Sequence, residues 1–455
     1  MGVISRRAFL AQLIPGKPPN IILVLADNLG YGDIGCYGSK LHRTPNLDRM
    51  AREGARLTHF YVASGVCTPS RAALMTGCYP RRVGLHHTEL DGFVLRPVSK
   101  YGLHPNEITI AELLKARGYT TGMIGKWHLG DYPSFLPTKQ GFDSYFGIPY
   151  SDDQEGGRMF PGRSAPSPPL PLMENDRVVE APADRDTLTN RYTERAIAFL
   201  ETNRKRPFFL YLPQDMPGST PNAFSSAAFR GKSANGRYGD AIEELDWSQG
   251  EILAALKRLG LDKNTLVVWM SDNGAVRRNP AQGSNLPMGG WGYTTQEGGQ
   301  RVPCIVRWPG KIAQGRAIDT LLTAMDWLPT IARLAGCSAP EKIDGKDIWN
   351  NLSGKSRMSP HEAFYYYGPQ LQAVRRGNWK LVLPLDAKLI NLQSATAKGE
   401  MALYDVVNDP GETTDRAKAN PDVVRQLTQW AEKARAELGD VAVTGAGQRP
   451  VGLAQ

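Results

Sequence analysis

Cysteine is scarce in this chain of 455 residues: Cys36, Cys67, Cys78, Cys304 and Cys337 stand far apart, with no CxxC among them. An odd number without paired spacing excludes a disulfide framework, and without clustered Cys or His it excludes a structural zinc site. No apolar run is long enough to cross a bilayer, so no transmembrane segment is expected. There are no internal repeats. The net charge is +9, yet lysine and arginine are scattered rather than gathered in runs. That argues against a nucleic-acid surface and for mild attraction to anionic substrates. Two local absences matter later: no histidine lies between His128 and His361, and no lysine between Lys263 and Lys311.

What is present is a globular composition, 41% hydrophobic and 22% charged, in a chain longer than one core usually serves. A large domain plus a smaller one is the expectation. At the N-terminus "SRRAFL" (Ser5–Leu10) resembles a twin-arginine export signal, which would place the protein in the periplasm or outside the cell. The apolar stretch after it ends by Ile14 and no small-residue cleavage site follows, so a basic tail on a cytoplasmic protein stays open.

From Asn20 onward, short β-rich apolar runs alternate with longer helical periods, the signature of an α/β fold with a mostly parallel sheet sandwiched by helices. Strands are expected at "NIILVLA" (20–26), "YTTGMIG" (119–125), "PFFLYLP" (207–213) and "TLVVWMS" (265–271). Helices are expected at "TPNLDRMAREG" (44–54), capped by Thr44 and started by Pro45, at about Pro69 to Gly77, and at "GDAIEELDWSQGEILAALKRLG" (239–260). Residues 155–185, with "RSAPSPPLPL", read as too proline-rich for either element. The glycine-rich run Asn273–Gly299 reads as an active-site rim. A boundary near Ser353–His361 divides the chain into a tail (1–19), a large α/β domain (20–355) and a smaller α+β domain (356–455). That last part is expected to be an antiparallel meander closed by a helix.

Three strands end on polar groups: Asp27/Asn28, Lys126–His128 and Asp272/Asn273. In doubly wound sheets the ligand site lies beyond the carboxyl ends of the strands, so these groups could converge. Either Asp-Asn pair alone would be an ordinary turn. Together they offer four hard oxygens, suited to Ca²⁺ or Mg²⁺. In "CTPSRAALMTG" (Cys67–Gly77) a cysteine precedes a helix, where backbone N–H groups favour an anion, and an arginine follows one turn in.

The frame C-x-P-x-R in that stretch resembles the signature of the type I sulfatases, whose cysteine a formylglycine-generating enzyme oxidises to formylglycine. Further resemblances run in family order through "LADNLGYGDIGCYG", "GKWHLG", "GIPYSDDQ", "SDNGA", "EGGQRVPCIVRWPGKI" and "LYDVVNDPGE". "GIPYSDD" is similar to the arylsulfatase A branch. The resemblance implies an alkaline phosphatase-like fold and hydrolysis of sulfate esters of small molecules or carbohydrates. It implies that Cys67, as formylglycine, attacks sulfur from a gem-diol. Asp27, Asn28, Asp272 and Asn273 would hold Ca²⁺, with Mg²⁺ as the alternative. Arg71 and Lys126 would add positive charge, His128 would take the second hydroxyl's proton, and Ser151 would meet the substrate.

Three positions depart from the family. Asn28 stands where a second aspartate is usual. Gly218 stands where a histidine serves the leaving oxygen, and Gly292 where a lysine binds sulfate; Arg277 and Arg278 are the nearby cations that could compensate. Losing such groups costs about 10²–10³ in kcat for an electrostatic contact and about 10²–10⁴ for a general acid. A degenerate, ligand-binding member therefore stays open beside the enzyme, as does a phosphatase of the same fold.

Overall fold

The computed structural model describes residues 17–86, 94–159, 165–278, 282–385, 400–441 and 443–454. Ser5–Leu10, read above as an export signal, lies outside them. Ten strands form one sheet: β1 (Asn20–Asp27), β2 (Ala55–Leu57), β3 (Thr120–Ile124), β4 (Ser144–Gly147), β5 (Leu172–Glu174), β6 (Arg177–Glu180), β7 (Phe208–Pro217), β8 (Thr265–Ser271), β9 (Cys304–Arg307) and β10 (Arg316–Ile318). Their order is β10-β2-β9-β8-β1-β7-β3-β4-β5-β6. The middle, from β8 to β4, is parallel throughout, while β9 and the β5–β6 edge run antiparallel. The expected mixed, mostly parallel sheet is therefore present.

Every residue of β1, β7 and β8 is buried. Alternate side chains feed two cores, as a strand's period of two requires. Ile21, Leu23 and Leu25 of β1 pack on one face with α2 (Cys67–Thr76), α3 (Ile110–Lys115) and α6 (Trp327–Leu334). Ile22, Val24 and Ala26 pack on the other with α1 (Pro45–Glu53), α4 (Leu188–Asn203) and α5 (Gly236–Arg258). Because β1, β3, β7 and β8 are parallel, their carboxyl ends share one edge.

Local details differ from expectation in three places. Thr44 occupies the N-cap of α1, but its hydroxyl accepts from the Gly35 N–H instead of capping; the N–H groups of Asn46 and Leu47 donate to Asp246 of α5. The helix expected from Pro69 already begins at Cys67. Within the proline-rich segment, β5 and β6 form an edge hairpin, because 172–180 is free of proline and Asn175 turns the chain at φ 54°.

Towards the C-terminus, β11 (Phe364–Tyr367), β12 (Leu371–Arg376), β13 (Trp379–Val382) and β14 (Ala402–Asp405) pair in sequence as an antiparallel meander. Helix α7 (Pro421–Leu438) covers it through Leu427, Ala431, Ala434 and Leu438. The same core takes in Tyr61, Ala73, Tyr79 and Met325, so the meander is packed directly on the larger sheet's layer. Among the described residues no helix is long and apolar enough to cross a membrane.

Candidate active site

Strand β1 ends in Asp27 and hands the chain to Asn28, which turns it at φ 58°. Strand β8 ends one residue before Asp272 and Asn273. Between them stands the N-terminus of α2, a helix buried on all sides although it carries Thr68, Ser70, Arg71 and Thr76. Burial is tolerable because each polar side chain is bonded: Thr68 Oγ1 to the His128 carbonyl at 3.0 Å, Ser70 Oγ to the Asp272 carbonyl at 2.5 Å, Thr76 Oγ1 to the Ala72 carbonyl at 2.7 Å.

Arg71 is the hub. Its Nη2 donates to Asp27 Oδ1 at 2.9 Å and to Asp272 Oδ2 at 2.8 Å, and its Nη1 to the Lys126 carbonyl at 2.8 Å. Lys126 follows Gly125, whose φ of 126° and close approach to Pro213, where a Cβ would stand 1.8 Å from the carbonyl oxygen, admit only glycine. The Lys126 ammonium reaches Asp27 Oδ1 at 2.8 Å, Ser151 Oγ at 2.9 Å and Cys67 Sγ at 3.6 Å. Around the same sulfur stand Asp27 Oδ1 at 3.4 Å, Asn273 Oδ1 at 3.8 Å and Asn28 Oδ1 at 4.0 Å. Eight of the nine candidate residues thus share one network of hydrogen bonds and ion pairs through their side chains.

His128 joins by its backbone, with φ 60°. Its Nε2 lies 3.0 Å from the Leu95 carbonyl, which can only accept, so Nε2 carries the proton and Nδ1 a lone pair. Nδ1 is buried without a hydrogen-bond partner. Burial, Lys126 and Arg71 all push His128 well below 6.5, which keeps it neutral. Burial alone would raise Asp27, but Lys126 and Arg71 hold its carboxyl well below the usual range; burial and the Asp27 charge push Asp272 up to about 6. Cys67 is raised well above 9.0 by burial and the two aspartates.

The donors suit a hard divalent cation: Asp27, Asn28, Asp272 and Asn273 supply only oxygens, and the two carboxylates lie with Cys67 in one compact cluster. Part of that oxygen set is held by Arg71 and Lys126, and Asn28 Oδ1 accepts from Asn273 Nδ2 at 2.5 Å.

The family departures have their own geometry. Gly218 takes φ 69° and donates its N–H to the Asp27 carbonyl at 3.0 Å. Gly292 donates to the Ala275 carbonyl at 2.7 Å. The Arg278 guanidinium lies against the carbonyls of Pro217, Gly218 and Thr220 and over the Tyr238 ring, whereas Arg277 is exposed. Sequence reasoning missed four residues here. Asp152 and Asp215 are fully buried, with no hydrogen-bond partner for any carboxylate oxygen, and burial pushes Asp215 up to about 7 and Asp152 well above 3.8. Ser219 and Tyr293 each follow a departing glycine, and their hydroxyls lie 2.5 Å apart. Tyr293 also borders a small cleft lined by Gly65, Val66, Thr294, Tyr367 and Gln372.

A cysteine at a helix start, oxygen donors at two strand ends, and a lysine and arginine on one aspartate make a site able to hold an anionic group beside position 67. A family model described as Sulfatase matches residues 19–337, and one described as N-sulphoglucosamine sulphohydrolase, C-terminal, matches 293–437. Arylsulfatase A of Homo sapiens is 39% identical over 473 residues, covering 96% of this chain and 91% of that protein. Steryl-sulfatase of Mus musculus is 36% identical over 518 residues, covering 93% and 81%. The solved structure of Ps i-CgsB in complex with k-i-k-neocarrahexaose superposes with a TM-score of 0.76 at 31% identity, covering 92% of each chain. The chain belongs to the sulfatase family, among the type I enzymes, and is a sulfuric ester hydrolase. The degenerate, ligand-binding alternative finds no support in these matches.

Proposed function

We propose that this protein hydrolyses sulfate esters of small molecules or carbohydrates with formylglycine at position 67 and a Ca²⁺ ion, Mg²⁺ being the alternative. The observation that carries this is the convergence of four oxygen-bearing side chains, Arg71 and Lys126 on the Cys67 side chain. Formylglycine supplies a hydrated aldehyde as nucleophile with a built-in route for releasing sulfate. A cation held by Asp27, Asn28, Asp272 and Asn273 supplies Lewis acidity towards a sulfate oxygen.

The chain's own residues do the rest. Arg71 keeps Asp27 and Asp272 ionised and spaced. Lys126 and Ser151 place a positive charge and a hydroxyl beside position 67, where negative charge develops. His128, neutral with Nδ1 unpartnered, is the base for the nucleophile's second proton. Cys67 is 3% exposed, so a formylglycine-generating enzyme would act before the fold closes over it.

A carbohydrate substrate is consistent with the sugar in the Ps i-CgsB complex. Export, read from Ser5–Leu10, and the division into 1–19, 20–355 and 356–455 belong to the same proposal. The test is sulfate release from aryl and carbohydrate sulfates, with calcium added or chelated and phosphate esters as control. Calcium-dependent release from sulfate esters alone is expected; preference for phosphate esters would overturn the assignment.

A further inference from the structure

The three departures from the family pattern meet in one hydrogen-bonded chain. Asn28 Nδ2 donates to Ser219 Oγ at 2.8 Å, and Ser219 Oγ lies 2.5 Å from Tyr293 OH. Ser219 directly follows Gly218, and Tyr293 directly follows Gly292. Each residue beside a vacated position thus turns toward the other, across 74 positions of sequence.

Counting protons leaves the chain one O–H to spare. Asn28 fills one lone pair of Ser219 Oγ. The serine and tyrosine hydroxyls carry two protons and consume one between them, whichever donates. One O–H is left, and among the described residues neither hydroxyl has another partner. An aspartate at position 28, the family's usual residue, is an acceptor when ionised and could not start this chain. Asparagine there is thus matched to the serine and tyrosine.

The chain also lies beside the segment that carries Cys67. Asn28, at the head of the chain, has its carbonyl oxygen 4.0 Å from Cys67 Sγ. The Tyr293 N–H donates at 2.8 Å to the carbonyl of Gly65, two residues before Cys67. Ser219 and Tyr293 are only partly buried, and Tyr293 lines the cleft at the start of α2. Tyr293 holds φ 70°, a conformation unfavourable for an aromatic residue, of the kind retained where a side chain has work to do.

We propose that Ser219 and Tyr293 form a neutral hydrogen-bonding arm that donates to an oxygen of the substrate's sulfate ester, supplanting the charged histidine and lysine of the family. The inference rests on the sulfatase reading for its ligand. No proton is transferred: the arm gives one hydrogen bond, polarised by the donors behind it, which strengthens as negative charge grows on oxygen.

The test uses the full chain with its cation and four variants: Tyr293→Phe, Ser219→Ala, the double variant and Asn28→Asp. Binding of inorganic sulfate is measured by calorimetry and turnover with an aryl sulfate; melting temperature, cation content and formylglycine content are checked for each. Tyr293→Phe and Ser219→Ala are each expected to weaken sulfate binding about tenfold and to lower kcat/KM about a hundredfold. The double variant should be little worse than either single one, because the groups act as one unit. Asn28→Asp should retain its cation yet lose sulfate affinity as Ser219→Ala does. Wild-type affinity and turnover in Ser219→Ala and Tyr293→Phe, or strictly additive losses, would overturn the proposal. Sulfate binding reads the arm even where turnover is absent, so a failure of the sulfatase reading and a failure of the arm give different results.

Discussion

Among the described residues, two clusters of fully buried charge differ in how completely they are satisfied. The first joins the glycine-rich loop to the C-terminal meander. Glu297 Oε1 accepts from Tyr366 OH at 2.8 Å and Lys380 Nζ at 3.3 Å, and Oε2 from Tyr61 OH at 2.5 Å. Lys380 also pairs with Glu412 at 2.8 Å, and Arg375 bonds the Tyr61 hydroxyl. The second is the candidate active site, where Asp27, Asp272, Arg71 and Lys126 are bonded while His128 Nδ1 and the carboxylates of Asp152 and Asp215 make no hydrogen bond, the Arg185 guanidinium standing 3.9 Å from Asp152. An unsatisfied buried polar atom is costly, so it persists where something other than stability holds it. The closed cluster reads as a clasp, the open one as a site waiting for a ligand.

The largest expected effect comes from breaking the open cluster. Lys126→Met removes positive charge beside residue 67 and should lower kcat with an aryl sulfate by about 10²–10³. The melting temperature should move less than in the next variant. Glu297→Gln, in the clasp, removes the buried charge shared by Lys380 and Arg375, leaving Glu412 as the only carboxylate on Lys380 among the described residues, and should cost about 3–5 kcal/mol in denaturant unfolding, with turnover per folded molecule retained. If the two variants exchanged outcomes, the contrast between clasp and site would be wrong.

Chelation comes third. Removing the proposed cation should abolish turnover and lower stability by about 2.7 kcal/mol relative to a hundredfold excess over Kd. Thermal melts with and without chelator read it, and Glu297→Gln should show the same increment.

The smallest effect is on pH dependence, where the clusters have opposite signs. Asp215 is raised from 3.8 to about 7, chiefly by burial, so its contribution is fully present below its unfolded pKa and is lost as pH rises towards 7. Glu297 is lowered to about 2: burial opposes this, but Lys380 and Arg375 prevail. Its contribution is present above 4.5 and is lost as pH falls towards 2. Asp215→Asn should therefore flatten the stability profile on the neutral side only, and Glu297→Gln on the acid side only, as denaturant midpoints across pH would record.

Much of the site was legible in sequence because it hangs on strand ends. Ile21–Ala26 and Leu266–Met270 are continuous apolar runs, and a parallel sheet fixes which end of each meets the others, so Asp27, Asn28, Asp272 and Asn273 could be grouped before any geometry was known. What escaped depends on contacts between distant loops. The Ser219–Tyr293 bond carries no periodic signal, and Asp246 caps α1 from about 200 residues away in place of Thr44. The β5–β6 hairpin was hidden by the prolines flanking it. Asp152 sits beside Ser151 in a stretch quoted for its family likeness, yet its burial without a hydrogen-bond partner follows only from packing.

The central claim is that Cys67 is a precursor rather than a finished side chain. Mass spectrometry of the tryptic peptide Leu57–Arg71, from protein purified from its native host, tests it most directly. Formylglycine at position 67 is the predicted result. Unmodified cysteine there, in cells whose other sulfatases carry formylglycine, would contradict the account.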